Sequence, residues 1–268
     1  MNSGKPMNFF LAKKTIQYYV CARHKYGHGI HSPFVYDFVR TVLRNRQNYA
    51  EYAVIEQRRK ELRAQNQTID VLDLGAGSTQ LRTKQRNVRD IARTSLSPRH
   101  YAYLLHNITH HYAPRTILEM GTSLGISTAY LATGNAQAHC ITLEGAPSIA
   151  AIARETFKTC AVPHIELLEG NFADTLPQAL KTLQFIDFAF IDGNHQQQAT
   201  LDYFNAIAPY CSENAILVFD DICWSEGMYA AWQQICSHPH ISISIDLCKL
   251  GIVFLRKGIQ KQHFTIRY

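Results

Sequence analysis

The chain has 268 residues, of which 46% are hydrophobic, so it can bury a sizeable core and an intrinsically disordered protein is excluded. Its formal net charge is +6, but the charge is unevenly distributed. Residues 1–116 carry 19 Lys and Arg against 7 Asp and Glu, whereas residues 117–268 carry 8 against 14. The basic half is compatible with a nucleic-acid partner, although an arginine-rich helical segment is more often only a solvated surface.

The cysteines and the apolar runs indicate a compartment. The seven cysteines form no C-x-x-C pair and lie mostly in apolar segments, which is typical of reduced thiols in a core. No segment approaches the roughly 20 apolar residues needed to cross a bilayer, and the N-terminus lacks the apolar region of a signal peptide. We therefore expect a cytoplasmic protein without a membrane span.

Residues 1–113 are predicted to form a mainly helical accessory or lid segment, because their apolar residues are too sparse for a deep core stripe. The motif HKYGHGIHSPF contains three histidines, His24, His28 and His31. Their spacing matches no zinc motif, so we favour a different role for this motif. That role is a lid or substrate pocket formed by Tyr26, His28, His31 and Phe34.

The same segment contains VLDLGAGS (residues 71–78), an apolar run that ends in an acid and two glycines. Gly75 and Gly77 are predicted to form a tight turn, and Ser78 to cap a charged helix behind it. A substrate-side role for Asp73 stays open. A further helix is predicted behind Ser97 and Pro98.

From Pro114 onward, strand-like runs alternate with helix-like segments. The strand-like runs are TILEMG, AHCITLEG, HIELLEG, FIDFAFIDG and NAILVFDDI. This alternation predicts a parallel sheet covered by helices on both faces. Two final strands, ISISIDL and KLGIVFLRK, have only a short link and must pair as a hairpin. Residues 114–268 are therefore predicted to be an α/β domain with a Rossmann-like, doubly wound, mostly parallel sheet of seven strands, one of them antiparallel.

Only the later of the two glycine loops meets the requirements of a cofactor loop. In an open α/β sheet, ligands bind at the carboxyl ends of strands, where a glycine turn allows close approach. Gly121 and Gly125 follow the strand TILEM and precede an apolar helix, and Glu144 ends the next strand. No such strand follows VLDLGAGS. The G-x-x-x-G spacing matches neither the dinucleotide fingerprint nor the P-loop.

These features favour S-adenosylmethionine. Its ribose needs an acid, its amino-acid end needs backbone and hydroxyl donors, and its cationic end tolerates carboxylates. The residues predicted to hold it are Glu119, Gly121, Thr122, Ser123, Gly125, Ser127, Glu144 and Asp192.

The stretch from Thr116 to Arg256 resembles the class I S-adenosylmethionine-dependent methyltransferases, and specifically the catechol-type, metal-dependent O-methyltransferases. LEMGTSLGIS is similar to their first motif, TLEG to their ribose-binding acid, EGNFADTLPQAL to their adenine-side loop, and FAFIDGNH and LVFDDI to their catalytic strand ends. The resemblance implies further cofactor contacts from Gly145, Asn171 and Phe172, and a homodimer, which is common in similar enzymes. The N-terminal segment resembles the extension of a bacterial branch of class I enzymes.

Three acids are the candidate metal ligands. Asp192, Asp220 and Asp221 stand at the ends of two strands that are neighbours in such a fold. Three converging carboxylates repel unless a cation neutralises them, which predicts Mg²⁺ or a similar ion. Asp221 departs from the Asn of the catechol-type branch. The alternative is that Asp220 or Asp221 caps the next helix or binds the cofactor.

His195, three residues after Asp192, is the candidate general base. It occupies the position of the catalytic Lys in the family that the chain resembles, and imidazole is a competent base near neutral pH. Asp192 and His195 are therefore the predicted catalytic residues. The alternative is that His195 only forms hydrogen bonds.

The predicted function is O-methylation of a small hydroxylated substrate, with S-adenosylmethionine as cofactor and a divalent metal as assistant. The alternative is an RNA or other nucleic-acid methyltransferase that uses the basic half. Against it, the chain lacks the Asn/Asp-Pro-Pro-Tyr/Phe motif of amino-methylating enzymes and the Pro-Cys pair of cytosine-C5 enzymes. A cofactor-binding protein without catalysis stays open as a third interpretation.

Overall fold

The N-terminal part of the chain is mainly helical. The computed structural model describes residues 9–73, 82–162 and 164–268. The elements before residue 113 are α1 (Phe9–Cys21), α2 (Pro33–Phe38) with a π-helical turn after it (Val39–Leu43), α3 (Glu51–Ala64), β1 (Thr68–Asp73), β2 (Arg82–Asn87), α4 (Val88–Thr94) and α5 (Arg99–Tyr112). None of the helices in these described stretches is long and apolar enough to cross a membrane.

The prediction of a helix capped by Ser78 is wrong in the described part of that segment. Residues 82–87 form β2, which pairs antiparallel with β1 from Thr68↔Asn87 to Asp73↔Arg82. Backbone hydrogen bonding to β1 therefore outweighs the helical preference of this charged stretch, and the helix begins only at Val88, capped by Asn87. Gly75, Gly77 and Ser78 lie outside the described residues.

The rest of the chain alternates strands and helices as predicted. The strands are β3 (Thr116–Met120), β4 (His139–Glu144), β5 (Ile165–Glu169), β6 (Ile186–Ile191), β7 (Cys211–Phe219), β8 (Ile243–Asp246), β9 (Gly251–Phe254) and β10 (Gln262–Thr265). The helices are α6 (Ile126–Gly134), α7 (Pro147–Thr159), α8 (Phe172–Leu183), α9 (Gln197–Ile207), with a 3₁₀ turn after it (Ala208–Tyr210), and α10 (Glu226–Ser237).

One large sheet carries these strands in the order β10-β8-β9-β7-β6-β3-β4-β5. Only β9 runs antiparallel to its neighbours β7 and β8, so the predicted hairpin and the doubly wound, mostly parallel sheet are confirmed. The sheet has eight strands rather than seven, because the short segment β10 adds in parallel to the edge strand β8. The reversal of strand order between β3 and β4 on one side and β6 on the other opens a crevice at the carboxyl edge.

Side chains that alternate along each strand supply two separate cores. Ile117 belongs to the core under α5, α6 and α7, whereas its neighbour Leu118 belongs to the core under α8, α9 and α10. Residues of α5 share the first core, so α5 packs on the sheet domain. The division of the chain at residues 113 and 114 stays a prediction.

Residues 266–268 form hydrogen bonds with α1 and with the start of α5. The Tyr18 hydroxyl donates to the backbone oxygen of Ile266 at 2.7 Å, and the Tyr268 N–H donates to the Tyr18 hydroxyl at 2.8 Å. The Tyr268 hydroxyl also donates to the backbone oxygen of His100. These contacts hold α1 and the start of α5 near the carboxyl edge of the sheet.

Candidate active site

The glycine turn after β3 lies where the sheet order reverses. Gly121 has a φ of +99°, and a Cβ at this position would lie 2.2 Å from the backbone oxygen of Asp192. Gly125 has a φ of +82°, and its Cβ would lie 2.8 Å from the ring of Phe157. Both positions therefore need glycine, for the backbone angle and for the close approach. The turn brings the start of α6 to the end of β6.

Glu119, at the carboxyl end of β3, is fully buried beside this turn. Its Oε2 accepts hydrogen bonds from the hydroxyls of Thr128 and Thr142, whereas Oε1 has no hydrogen-bond partner among the described residues. Burial raises the pKa of Glu119 to about 7. The Thr122 hydroxyl is also turned inward, 2.6 Å from that of Thr142.

Glu144, at the end of β4, faces the same turn. Its Oε2 accepts from the backbone N–H of Ser123 at 2.8 Å, and its Oε1 accepts from that of Ala146 at 3.0 Å. Burial raises the pKa of Glu144 above its ordinary value. No Lys, Arg or His in the described ranges forms an ion pair with Glu119 or Glu144. Within the part of the chain that the structure describes, this pair of acids therefore has no ion-paired cation.

The loop after β5 closes one side of the crevice. The Asn171 side chain caps α8 by accepting from the backbone N–H of Ala173. The Phe172 ring packs edge-on against Tyr203 with ring centroids 5.9 Å apart, and a Cβ on Gly193 would lie 2.5 Å from that ring. The predicted contacts from Gly145, Asn171 and Phe172 to an adenine stay predictions.

The predicted acids Asp192, Asp220 and Asp221 do meet at the carboxyl ends of β6 and β7. Burial, and then the charge of Asp220, raise the pKa of Asp192 well above its ordinary value. Burial also raises the pKa of Asp220, which is only 4% exposed. The helix-capping alternative for these acids is wrong, because Ser225 accepts from the backbone N–H of Met228 and caps α10.

His195 lies among these acids. Its Nε2 is 3.5 Å from Asp192 Oδ1, and its Nδ1 is 4.0 Å from Asp221 Oδ2. The side chain is 37% exposed, so a ligand in the crevice can reach it. A neutral imidazole carries one N–H, so one ring nitrogen is available to accept a proton.

Lys249 was missed by the sequence analysis. Its Nζ lies 2.8 Å from the Asp220 carboxylate and 2.6 Å from Asp221 Oδ1. Burial alone would lower the pKa of Lys249, but the two carboxylates raise it above its ordinary value. The predicted antiparallel strand could have indicated Lys249. Because β9 pairs antiparallel with β7, the residues just before β9 must lie beside those just after β7.

Backbone strain is concentrated at this edge. Nine non-glycine residues in the described ranges have a positive φ, and five of them lie at the carboxyl ends of strands of the large sheet. These five are Ser123, Asn194, His195, Asp221 and Cys248. Such conformations cost on the order of 1–3 kcal/mol each and cluster at functional sites. The concentration supports the assignment of the site to this edge.

The acids do not have the arrangement of a metal centre. In the described part of the chain, no group of three or more His, Cys, Asp or Glu side chains has the geometry to hold a metal ion. Two of the three predicted ligands, Asp220 and Asp221, instead share the Lys249 ammonium. In the histidine motif, the ring of His24 hydrogen-bonds the backbone oxygen of His28.

The N-terminal segment contacts the sheet at more than one place. Phe34 packs on Phe254 and Tyr112, near the amino edge of the sheet, which does not fit the predicted pocket role of Phe34. The same role for Tyr26, His28 and His31 stays a prediction. At the carboxyl edge it is α1 that contacts α10, with Lys14 Nζ 3.3 Å from the ring centroid of Tyr229.

Several cations of the basic half are used internally. Arg59 and Arg99 both bind Glu56, at 2.8 and 2.7 Å, and Arg58 lies near Glu61. The side chains of Arg58 and Arg59 are largely buried, so these two charges do not lie on a surface for nucleic acid, whereas Arg99 is exposed.

Residues 118–222 match a protein family described as a methyltransferase domain. This range begins within β3 and ends just after β7. It therefore includes the glycine turn, both groups of acids and His195, but not Lys249.

A curated relative and two solved structures agree with this match. Over 118 residues the chain is 32% identical to a catechol O-methyltransferase of Mycobacterium tuberculosis (strain ATCC 25618 / H37Rv), which covers 43% of this chain and 52% of the relative. The match thus spans about half the length of that relative.

The fold is similar to that of an O-methyltransferase from Bacillus cereus in complex with SAH, with a TM-score of 0.53 and 22% identity over 61% of this chain and 84% of the other. It is also similar to that of the SAH-bound Podospora anserina methyltransferase PaMTH1, with a TM-score of 0.58 and 17% identity over 96% and 100%. At these identities the structural likeness establishes the fold.

Proposed function

We propose, from the match of residues 118–222 to a methyltransferase domain, that the protein is an S-adenosylmethionine-dependent O-methyltransferase that acts on a small hydroxylated substrate. The observation that carries the proposal is the contact of the glycine turn with the end of β6. At Gly121 and Asp192 it joins Glu119 and Glu144, which have no ion-paired cation among the described residues, to a cluster that contains an accessible imidazole.

The residues around the glycine turn fit S-adenosylmethionine. Glu119 is fully buried and Glu144 is partly buried, and neither has an ion-pair partner in the described ranges. Glu119 Oε1 is an unpartnered buried acceptor among the described residues. A sulfonium and an ammonium group are cations that such acids stabilise. Ser123, Ser127 and the glycine backbone line the turn as further donors, and Glu144 is the acceptor for the ribose hydroxyls. When bound, S-adenosylmethionine supplies an electrophilic methyl group.

The chain's own residues position and deprotonate the substrate. His195 accepts the proton of the substrate hydroxyl, whose oxygen forms a bond to the methyl carbon as the sulfur–carbon bond breaks. The positive charge on sulfur disappears, and an equal charge appears on the imidazole. Asp192, 3.5 Å from Nε2, orients the ring and stabilises its charged form. General-base catalysis of this kind contributes roughly 10²–10⁴-fold to a rate.

Divalent-metal assistance, which the resemblance implies, finds no support in the donor set. Asp192, Asp220 and Asp221 are the residues that were predicted to bind the ion. Since Lys249 already bridges Asp220 and Asp221, the carboxylates do not present three free ligands, and no step of the proposed reaction passes through a metal. A homodimer and a cytoplasmic location stay predictions; the seven cysteines are free.

The proposal is tested in two stages. Isothermal titration calorimetry with SAH should show one site per chain. Transfer of a labelled methyl group is then measured against catechols, sugars, small hydroxylated metabolites and a mixed RNA pool. We expect label in a small hydroxylated compound. Absence of SAH binding, or label in RNA alone, would contradict the proposal.

A further inference from the structure

Lys249 occupies a position that the fold fixes. In the β7–β9 pair, Phe219 lies opposite Gly251, so the residues that follow β7 lie beside those that precede β9. The backbone of Lys249 is held twice: its N–H donates to the oxygen of Leu247 at 2.9 Å, and its oxygen accepts from the N–H of Ile222 at 3.1 Å. The register of the sheet therefore places the Lys249 ammonium beside the two acids.

The ammonium forms a bridge rather than a single ion pair. It contacts Asp220, which is 4% exposed, and Asp221, which is 26% exposed, while its own side chain is 27% exposed. Two carboxylates so close together repel, and removal of their shared cation leaves a buried charge uncompensated. A fixed cation between these carboxylates performs the neutralising task for which a divalent ion was predicted.

Resting on the proposed function, we propose that Lys249 takes the place of the divalent cation, so that methyl transfer by this protein requires no metal ion. Lys249 is a positioning residue: it holds Asp220 and Asp221 on one side of His195, whose Nδ1 lies 4.0 Å from Asp221. An ammonium cannot accept a lone pair as a metal does. Deprotonation of the substrate therefore depends on His195.

The experiment compares the binding of Mn²⁺ by the wild-type protein and by Lys249→Met. Metals are first removed with a chelator, and Mn²⁺ binding is then measured by electron paramagnetic resonance. Met is an unbranched, uncharged side chain only one atom shorter than Lys, and it frees both carboxylates. Lys257→Met is the matched control, because Lys257 pairs with Glu213 at an exposed site. Lys249→Arg keeps the positive charge.

We expect no stoichiometric Mn²⁺ site in the wild-type protein, in Lys257→Met or in Lys249→Arg. Lys249→Met should bind Mn²⁺ roughly tenfold more tightly or better, through the oxygen ligands that such ions prefer. Wild-type turnover should be unchanged by chelator, whereas that of Lys249→Met should fall and be restored by Mn²⁺.

The inference is overturned if the wild-type protein binds Mn²⁺ stoichiometrically or loses turnover in chelator, and this measurement does not depend on the folding of any variant. A folded Lys249→Met that gains no Mn²⁺ affinity overturns it as well. Calorimetry with SAH on the same samples separates the two proposals. Loss of SAH binding removes the proposed function, whereas the Mn²⁺ titration decides the role of Lys249.

Discussion

Two groups of acids, each with one buried and one partly buried member, lie at the same edge of the sheet and are compensated in different ways. Glu119 and Glu144 accept hydrogen bonds from hydroxyls and backbone amides and have no ion-pair partner in the described ranges. Asp220 and Asp221 share the ammonium of Lys249. The first group is therefore suited to a cationic ligand. The second already contains its cation and is suited to a neutral hydroxyl compound.

The largest expected effect lies beside the second group, at His195, whose Nδ1 is 4.0 Å from Asp221. His195→Ala removes the proposed proton acceptor, so kcat should fall by about 10²-fold or more, whereas the affinity for SAH should be unchanged. Stopped assays with the substrate found in the panel, together with calorimetry, measure both quantities. The control is His139→Ala, at an exposed histidine paired with Glu166. Full turnover of His195→Ala would assign the base to another residue.

The second prediction tests whether Glu144, in the first group, binds the cofactor. Glu144→Gln keeps the shape of the side chain but loses the charge that the ribose hydroxyls would contact. A hydrogen bond to a charged group contributes about 1.5–3 kcal/mol, so affinity for SAH should fall roughly 10- to 100-fold. Glu166→Gln, at an exposed position of β5, should leave the affinity unchanged. Equal loss in both variants would show that the effect is not local.

A third substitution tests the contact that joins the two groups. Gly121→Ala forces a left-handed backbone on a residue whose Cβ would lie 2.2 Å from the backbone oxygen of Asp192. The free energy of unfolding should fall by about 1–3 kcal/mol or more, measured by denaturant titration. Gly258→Ala is the control: its φ is also positive, but nothing lies within 4 Å. If both variants lose the same stability, the backbone angle alone matters.

The smallest effect depends on pH. Folding raises the pKa of Glu119 to about 7, so ionisation of this acid destabilises the folded state progressively as pH rises from about 4.5 to about 7. Glu119→Gln should therefore raise the free energy of unfolding at pH 8 by on the order of 1–3 kcal/mol, and with it the melting temperature. This gain should vanish near pH 4. Thermal melts without ligand measure it. A gain that is independent of pH would show that the charge is not its source.

Much of the sheet domain could be predicted because its strands are apolar on both faces and end in acids or glycines. The strands from β3 to β9 and the convergence of Asp192, Asp220 and Asp221 follow from that pattern. The strand β2 could not be predicted, since its residues are charged and only pairing with β1 makes it extended. The short edge strand β10 likewise depends on a partner rather than on its own composition.

Lys249 illustrates the limit more sharply. The hairpin was predicted, but the step from an antiparallel pair to the side chain beside Asp220 requires the register, which a sequence pattern does not fix to one residue. The sequence therefore predicts a metal site at this carboxylate cluster, because the cation that neutralises it is distant in the chain. The separation between Lys249 and Asp220 is 29 residues.

The contacts of Tyr18 with Ile266 and Tyr268 affect how the protein matures during synthesis. Tyr18 is separated from these two partners by 248 and 250 positions, so α1 is synthesised long before it can complete the contacts. Such distant contacts form late and slow the final step of folding. The contacts that fix α1 to residues 266–268 therefore form only after all the strands of the large sheet have been synthesised.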